Sequence, residues 1–255
     1  MRNRRAFTLI ELLVVIAVIA LLLAILMPSL SKARDQAKKV VCTGHMKGLG
    51  ISLRMYVDDY QGKTHDAPNQ GLWDNAFEGG SVVIKYKPND GNAYWGIAYE
   101  PYAKNKKIFR CPSTRRVDDW PENGWGIKYQ HYFRYCSYGL NDYISDKRID
   151  HVFKKHDEVI AFQDHIEQKL DGIDSDMFCI APGGRINLTQ WRPSREGGTG
   201  FVDSNWGGYD TVGECFRHMG TSMTCWLDGH VTGIKESTGE DVPPYWYTGK
   251  RADTP

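Results

Sequence analysis

The sequence predicts an α+β protein in which one long N-terminal helix carries a mostly antiparallel β head. Three observations predict it. An apolar run from Leu9 to Met27 leads straight into a stripe of apolar residues at helical spacing that ends near Tyr60. The remaining 195 residues show few helical periodicities, yet they hold all eight tryptophans. Short β-branched and aromatic runs in that part are separated by turns rich in Gly, Pro, Asn and Asp.

The helix divides into two parts. Leu9 to Met27 is 19 residues long, about 28 Å as a helix and therefore of bilayer thickness. Its one charge is Glu11. An ionised carboxylate at that depth costs about 2.5–3.5 kcal/mol, so it needs a partner or must reach up to the headgroups. Beyond Pro28, the residues Leu30, Ala33, Ala37, Val40, Val41, Leu49, Leu53, Tyr56, Val57 and Tyr60 recur at spacings of three and four. Gly44, Gly48 and Gly50 each weaken this half by up to about 1 kcal/mol relative to Ala, which predicts a bend or break there. Gly62 is the natural stop.

The expected strands of the head are Ser81–Lys85, Tyr94–Tyr99, Tyr132–Tyr138, Val159–Gln163, Met177–Ile180, Thr221–Leu227 and His230–Ile234. The last two form a hairpin through Asp228-Gly229, a signal for a type I′ turn with both central residues at positive φ. From Asp241 onward, with Pro243-Pro244 and Pro255, an irregular tail is expected.

Charge divides where the helix meets the head. Residues 1–60 hold 9 Lys and Arg against 4 Asp and Glu, and the rest hold 23 against 27. The basic part suits anionic lipid headgroups. The mildly acidic body lacks a basic-aromatic motif, which argues against nucleic-acid binding. Arg2, Arg4 and Arg5 favour a cytoplasmic N-terminus, whereas Lys32, Arg34, Lys38 and Lys39 flank the other side, so charge alone leaves the orientation open. A secretory signal peptide would be cut after the apolar run, where Ser29-Leu30-Ser31 is the small-x-small candidate. That reading leaves Glu11 unexplained.

The string Ala6-Phe7-Thr8-Leu9-Ile10-Glu11-Leu12-Leu13-Val14-Val15-Ile16 resembles the class III signal of type IV prepilins and type II secretion pseudopilins. The resemblance implies cleavage between Ala6 and Phe7 by prepilin peptidase and methylation of the new N-terminus. It further implies assembly guided by Glu11 meeting the Phe7 amine of a neighbouring copy, and a helix kink at Pro28. Ala6 stands where the family usually has Gly. The implied organisation is a leader over 1–6, a transmembrane and assembly helix over 7–28 and its amphipathic continuation over 29–62. A pilin-like extracytoplasmic head then occupies 63–255, with its C-terminal hairpin at 218–235. His218, nine further residues and Asp228-Gly229 resemble the prepilin-associated group named for its H-x9-DG motif. So do Val41-Cys42, Phe109-Arg110-Cys111-Pro112-Ser113, Ser137-Tyr138-Gly139-Leu140-Asn141-Asp142 and Val159-Ile160-Ala161-Phe162-Gln163-Asp164.

Six cysteines, Cys42, Cys111, Cys136, Cys179, Cys215 and Cys225, lie in the part expected to face an oxidising compartment. Six cysteines allow 15 full pairings, and at least one disulfide is expected; the candidates are Cys42 with Cys111, pinning the head to the helix, and Cys215 with Cys225, leading into the hairpin, with free buried thiols as the alternative. His218, Asp228 and His230, joined by Asp164, form the candidate polar site, able either to hold a divalent cation or simply to shape a turn. Related pseudopilins bind calcium through oxygen ligands, and Asp171-Gly172-Ile173-Asp174-Ser175-Asp176 is an acidic loop of that kind without EF-hand spacing. No cofactor other than such a cation is implied.

No G-x-S-x-G elbow, phosphate-binding Gly-rich loop or H-E-x-x-H motif is present, so a structural rather than enzymatic role is expected. The expected role is a subunit of a type II secretion pseudopilus or type IV pilus-like filament. Its partners would be copies of itself, other pseudopilins, the inner-membrane assembly platform and prepilin peptidase. It would cross the inner membrane once, with the N-terminus cytoplasmic and the head periplasmic or at the cell surface. The alternative is a membrane-tethered module that binds polysaccharide through Trp120, Trp125, Trp191 and Trp206.

Overall fold

A computed structural model describes residues 8–66, 71–74, 82–91, 93–114, 135–165, 169–170, 213, 215–236, 243 and 245–251. Helix α1 runs unbroken from Leu9 to Asp59, about 77 Å. Thr8 caps it with a full capping box. Its hydroxyl accepts from the Glu11 N–H, while the Glu11 carboxylate accepts from the Thr8 N–H at 2.9 Å. The helix passes through Pro28, and Ser29 turns its hydroxyl back to the Ile25 carbonyl. The expected break at Gly44 to Gly50 does not occur, because tertiary packing holds this part. At the far end, the Gly62 N–H donates to the Val57 carbonyl, with Gly62 at φ +83°.

The stripe meets the head over a shorter stretch than its sequence suggests. Cys42, Met46, Leu49, Gly50, Ser52, Leu53, Tyr56 and Val57 are buried, whereas Leu30, Val40, Val41 and Tyr60 remain exposed. The head therefore grips only the last third of α1. Among the described residues, the apolar side chains from Leu9 to Met27 touch none of it.

After α1 come α2 (Gly96–Ala103), β1 (Tyr138–Asn141), α3 (Ile149–Val152), β2 (Ile160–Asp164), β3 (Lys169–Leu170), β4 (Thr221–Trp226), β5 (Val231–Lys235) and α4 (Tyr245–Thr248). The strands form one sheet in the order β3-β1-β2-β4-β5, antiparallel except for the β1–β3 pair. This is the α+β architecture expected.

Several element boundaries differ from expectation. Tyr94–Tyr99 is not a strand; its second half opens α2, which packs on α1. A short apolar run without periodicity is equally compatible with a buried helix. Of the expected Ser81–Lys85 strand, Lys85 forms an isolated bridge to Asp74, and Val82, Val83 and Ile84 lie exposed without joining the sheet. Strand β1 starts at Tyr138, where the expected strand ended, and Met177–Ile180 lies outside the described residues. The expected irregular tail contains the α4 turn, anchored by the buried Tyr247.

The core lies between α1 and the sheet. Trp95 stacks on Phe162 with centroids 5.0 Å apart, while Trp73, Tyr94, Tyr99 and Phe109 close around them. Burying aliphatic side chains such as Leu49 and Leu53 stabilises the joint by about 1.5–3 kcal/mol each. Across the sheet, Ile160, Trp226 and Tyr247 form a second, small cluster.

Candidate functional site

Two places on the molecule concentrate chemistry. The first is the free N-terminal part of α1. It presents a bilayer-length apolar surface with a single carboxylate, Glu11, held at the helix start by the Thr8 cap. Ala6 and Phe7, the expected processing residues, lie outside the described residues.

The second is a fully buried polar cluster at the joint between helix and head. Cys42 comes from α1, Cys111 from the turn after Phe109, Asp164 from the end of β2 and His218 from the turn entering β4. One ligand-type atom from each lies within 4.8 Å of all the others. His218 Nε2 is 3.1 Å from Cys111 Sγ and 3.4 Å from an Asp164 oxygen, and Cys42 Sγ donates to Asp164 Oδ1 at 3.6 Å.

Around these four sit groups that fix them. The Tyr138 hydroxyl contacts Cys42 Sγ at 3.4 Å, and the Ser113 N–H donates to Cys111 Sγ at 3.4 Å. The Ser113 hydroxyl lies 3.5 Å from His218 Nδ1, which directs Nε2 into the cluster. The Met223 N–H donates to Asp164 Oδ2 at 2.9 Å. Arg217 sets its Nε 3.7 Å from Asp164 Oδ1 and donates through Nη2 to the His165 carbonyl at 2.7 Å.

Burial first, and then the neighbouring Cys111, push the Asp164 carboxyl up to about 7, against the pull of Arg217 and His218. Burial raises the Cys42 thiol likewise. Cys111 moves the other way despite its burial, held below the usual thiol range by hydrogen bonds from Cys42 and His218 and by the Arg217 charge.

The expected polar site therefore divides. His218 and Asp164 belong to the buried cluster, whereas Asp228 and His230 pair with each other at the exposed hairpin tip. Asp228 Oδ1 accepts from His230 Nδ1 at 2.6 Å and from its N–H at 3.0 Å. Their role there is to shape the turn, and the His230 ring stacks on Trp226. The turn is not type I′. Of its residues only Gly229 has positive φ, +91°, and its N–H donates to the Trp226 carbonyl across a three-residue loop. A turn closed by a left-handed glycine matches strand twist as well as a two-residue loop does.

The expected disulfides are also not formed. Cys42, Cys111, Cys136, Cys215 and Cys225 are all buried and outside any disulfide. Cys42 and Cys111 do meet, but as thiols within the four-residue cluster. Cys225 instead lies against Gly50 of α1, and Cys179 lies outside the described residues. So do the acidic loop 171–176 and Trp120, Trp125, Trp191 and Trp206.

Residues 1–27 match the family described as Prokaryotic N-terminal methylation motif. The chain is prepilin-like. The type IV wide pilus major component of Thermus thermophilus is 48% identical to it over 59 residues, 23% of this chain and 45% of that protein. Type II secretion system core protein G of Pseudomonas aeruginosa is 35% identical over 72 residues, 28% of this chain and 49% of that protein. A ComG operon protein 3 homolog of Bacillus licheniformis is 39% identical over 62 residues, 24% and 64% of the two chains. This prepilin-like chain thus spans about half the length of the first two curated relatives. No solved structure matches it.

Sequence reasoning missed two features of this prepilin-like chain. The capping box was legible in Thr8-Leu9-Ile10-Glu11, an S/T-x-x-E string before an apolar run. Arg217, beside the motif histidine, carried no local signal; its role depends on β2 and β4 being neighbours.

Proposed function

We propose that the chain is a structural subunit of a filament of the type II secretion pseudopilus or type IV pilus kind. It would be cut between Ala6 and Phe7 by prepilin peptidase, N-methylated, and held in the inner membrane with its N-terminus cytoplasmic until it assembles with copies of itself or other pseudopilins. The observation that carries this reading is the free, apolar part of α1 with Glu11 at its start. A helix surface that touches nothing else among the described residues suits lipid first and neighbouring helices afterwards. The match of residues 1–27 to the methylation motif family supports the processing step.

Glu11 has two candidate partners, the cap of its own helix and the Phe7 amine of a neighbour. Glu11→Gln separates them, because a glutamine at the third helical position still accepts from the Thr8 N–H but carries no charge. The expected result is a mature N-terminus at Phe7 by mass spectrometry, normal membrane insertion and loss of subunit-to-subunit crosslinks in the native membrane. Crosslinking and assembly equal to the parent would rule out charge pairing. A mature N-terminus beyond residue 28 would rule out the prepilin reading itself.

A further inference from the structure

We propose that Cys42, Cys111, Asp164 and His218 form a structural zinc site that clamps the head to α1. The four residues supply two sulfurs, one imidazole nitrogen and one carboxylate oxygen, all fully buried or nearly so. Four protein ligands of these types make a closed tetrahedral zinc site with no open position for substrate. With Zn–S near 2.3 Å and Zn–N and Zn–O near 2.0–2.1 Å, tetrahedral ligands stand about 3.3–3.8 Å apart. The 3.4 Å from His218 Nε2 to Asp164 Oδ2 falls in that range, and Cys42 Sγ lies 3.6 Å from Asp164 Oδ1 and 4.0 Å from Oδ2, so a small turn of the carboxylate would complete the set. The 3.1 Å from His218 Nε2 to Cys111 Sγ is slightly closer.

The surroundings fit the same assignment. Each ligand has an outer partner that orients it: Tyr138 for Cys42, the Ser113 N–H for Cys111, the Ser113 hydroxyl for His218 Nδ1 and the Met223 N–H for Asp164. Such partners are what hold metal ligands in position. Zinc with two thiolates and one carboxylate carries a net charge of −1, a burden in a dry interior. The Arg217 guanidinium beside Asp164 brings the total to zero. Two sulfur ligands select a borderline-soft ion and disfavour calcium or magnesium. The ligands bind the ion deprotonated, so occupancy rises with pH.

The site would explain why the ligands come from four separated places in the chain. Cys42 lies on α1, and the other three lie in the head. One ion would then fix the angle between the assembly helix and the head, a rigid joint useful to a subunit that stacks through that helix.

The test uses the full chain, extracted in detergent without chelators under mild reduction. Metal analysis should find close to one zinc per chain. After chelation, Co2+ should give the intense visible absorption of a tetrahedral ion and a sulfur-to-cobalt charge-transfer band. Cys111→Ser and His218→Gln should weaken Co2+ binding at least tenfold. The double variant Asp228→Asn/His230→Ala, confined to the hairpin tip, should bind as the parent does. The charge-transfer band of the parent decides the matter even where a ligand variant fails to fold. A Cys42–Cys111 disulfide in chain taken directly from membranes would overturn the assignment. So would failure to bind added Zn2+ or Co2+, or binding unchanged in both ligand variants.

Discussion

Gly50 offers the sharpest test of how the head sits on α1. A Cβ added there would lie 2.9 Å from Cys225 Sγ and 3.1 Å from Gly229 Cα. The sulfur is fully buried, and Gly229 is backbone in the hairpin turn, so neither gives way cheaply. Overpacking of this kind costs about 1–3 kcal/mol, and we take about 2. Replacing a mid-helix glycine by alanine returns up to about 1 kcal/mol of helix propensity. Gly50→Ala should therefore destabilise the head by roughly 1 kcal/mol, a fall of about 2–4 °C for a protein of this size. Gly44 is the control, because a Cβ there meets nothing within 4 Å. Gly44→Ala keeps the whole propensity gain and should raise the transition by a similar amount. Near-UV circular dichroism of the detergent-solubilised full chain during heating reads the head without the membrane helix. If both variants shift the transition upward alike, the close approach of α1 to the hairpin is wrong.

Three further outcomes follow from the packing. Asn141 donates to the Ile160 carbonyl at 2.8 Å and the Tyr247 carbonyl at 2.9 Å, and accepts from the Tyr143 N–H at 3.1 Å. Asn141→Ala should cost about 2–4 kcal/mol in chemical denaturation, since it leaves buried groups unpaired, and a loss below about 0.5 kcal/mol would contradict that network. Leu53→Ala, emptying a fully packed position on α1, should cost about 2–5 kcal/mol by the same measurement. Burial holds His65 below the usual imidazole range. The unfolded chain therefore takes up that proton first, and the stability His65 contributes is complete above about pH 6.5 and lost as pH falls below it. Unfolding at pH 8 and pH 5.5 should show this loss in the parent and a smaller one in His65→Gln; equal losses would acquit His65.

What the sequence made legible was whatever local chemistry alone decides. The apolar run from Leu9, the Gly62 stop and the Asp228-Gly229 punctuation placed the two ends of α1 and the last hairpin within about two residues. Tyr94–Tyr99 was misread because its burial comes from docking on α1, and a run buried on all sides carries no period. The glycines at 44, 48 and 50 suggested a break because propensity counts each residue alone, while the structure uses Gly50 as the contact point for the hairpin. The H-x9-DG spacing joined His218 to Asp228 on paper, but β4 carries them to opposite ends. Asp164, expected beside His218, does meet it, and so do Cys42 and Cys111, expected beside each other; what no spacing encodes is that strand order and the docking of α1 merge the two groups into one.

The division of α1 also explains where a prepilin-like head concentrates its polar chemistry. On the filament reading proposed above, a helix that leaves lipid to pack against its neighbours needs a free apolar surface; among the described residues, burial on α1 starts at Cys42. That leaves a joint of about four helical turns to carry any load passed between helix and head. Apolar burial at Met46, Leu49, Leu53 and Val57 is strong, but it sets direction poorly. Buried directional contacts gather at the first buried turn, where Cys42 meets Tyr138, Asp164 and Cys111, while His45 to the Arg110 carbonyl and Arg54 to Asp150 add more exposed ones. Cys42 and Cys111 border the same buried cluster as Trp95 and Phe162 but take no part in its ring contacts, so weakening that corner should loosen the angle of the head before it unfolds the core. Cys42→Ala should accordingly leave the near-UV spectrum of the head largely intact while speeding amide exchange in residues 40–46. Loss of both together would make the corner part of the core rather than a joint.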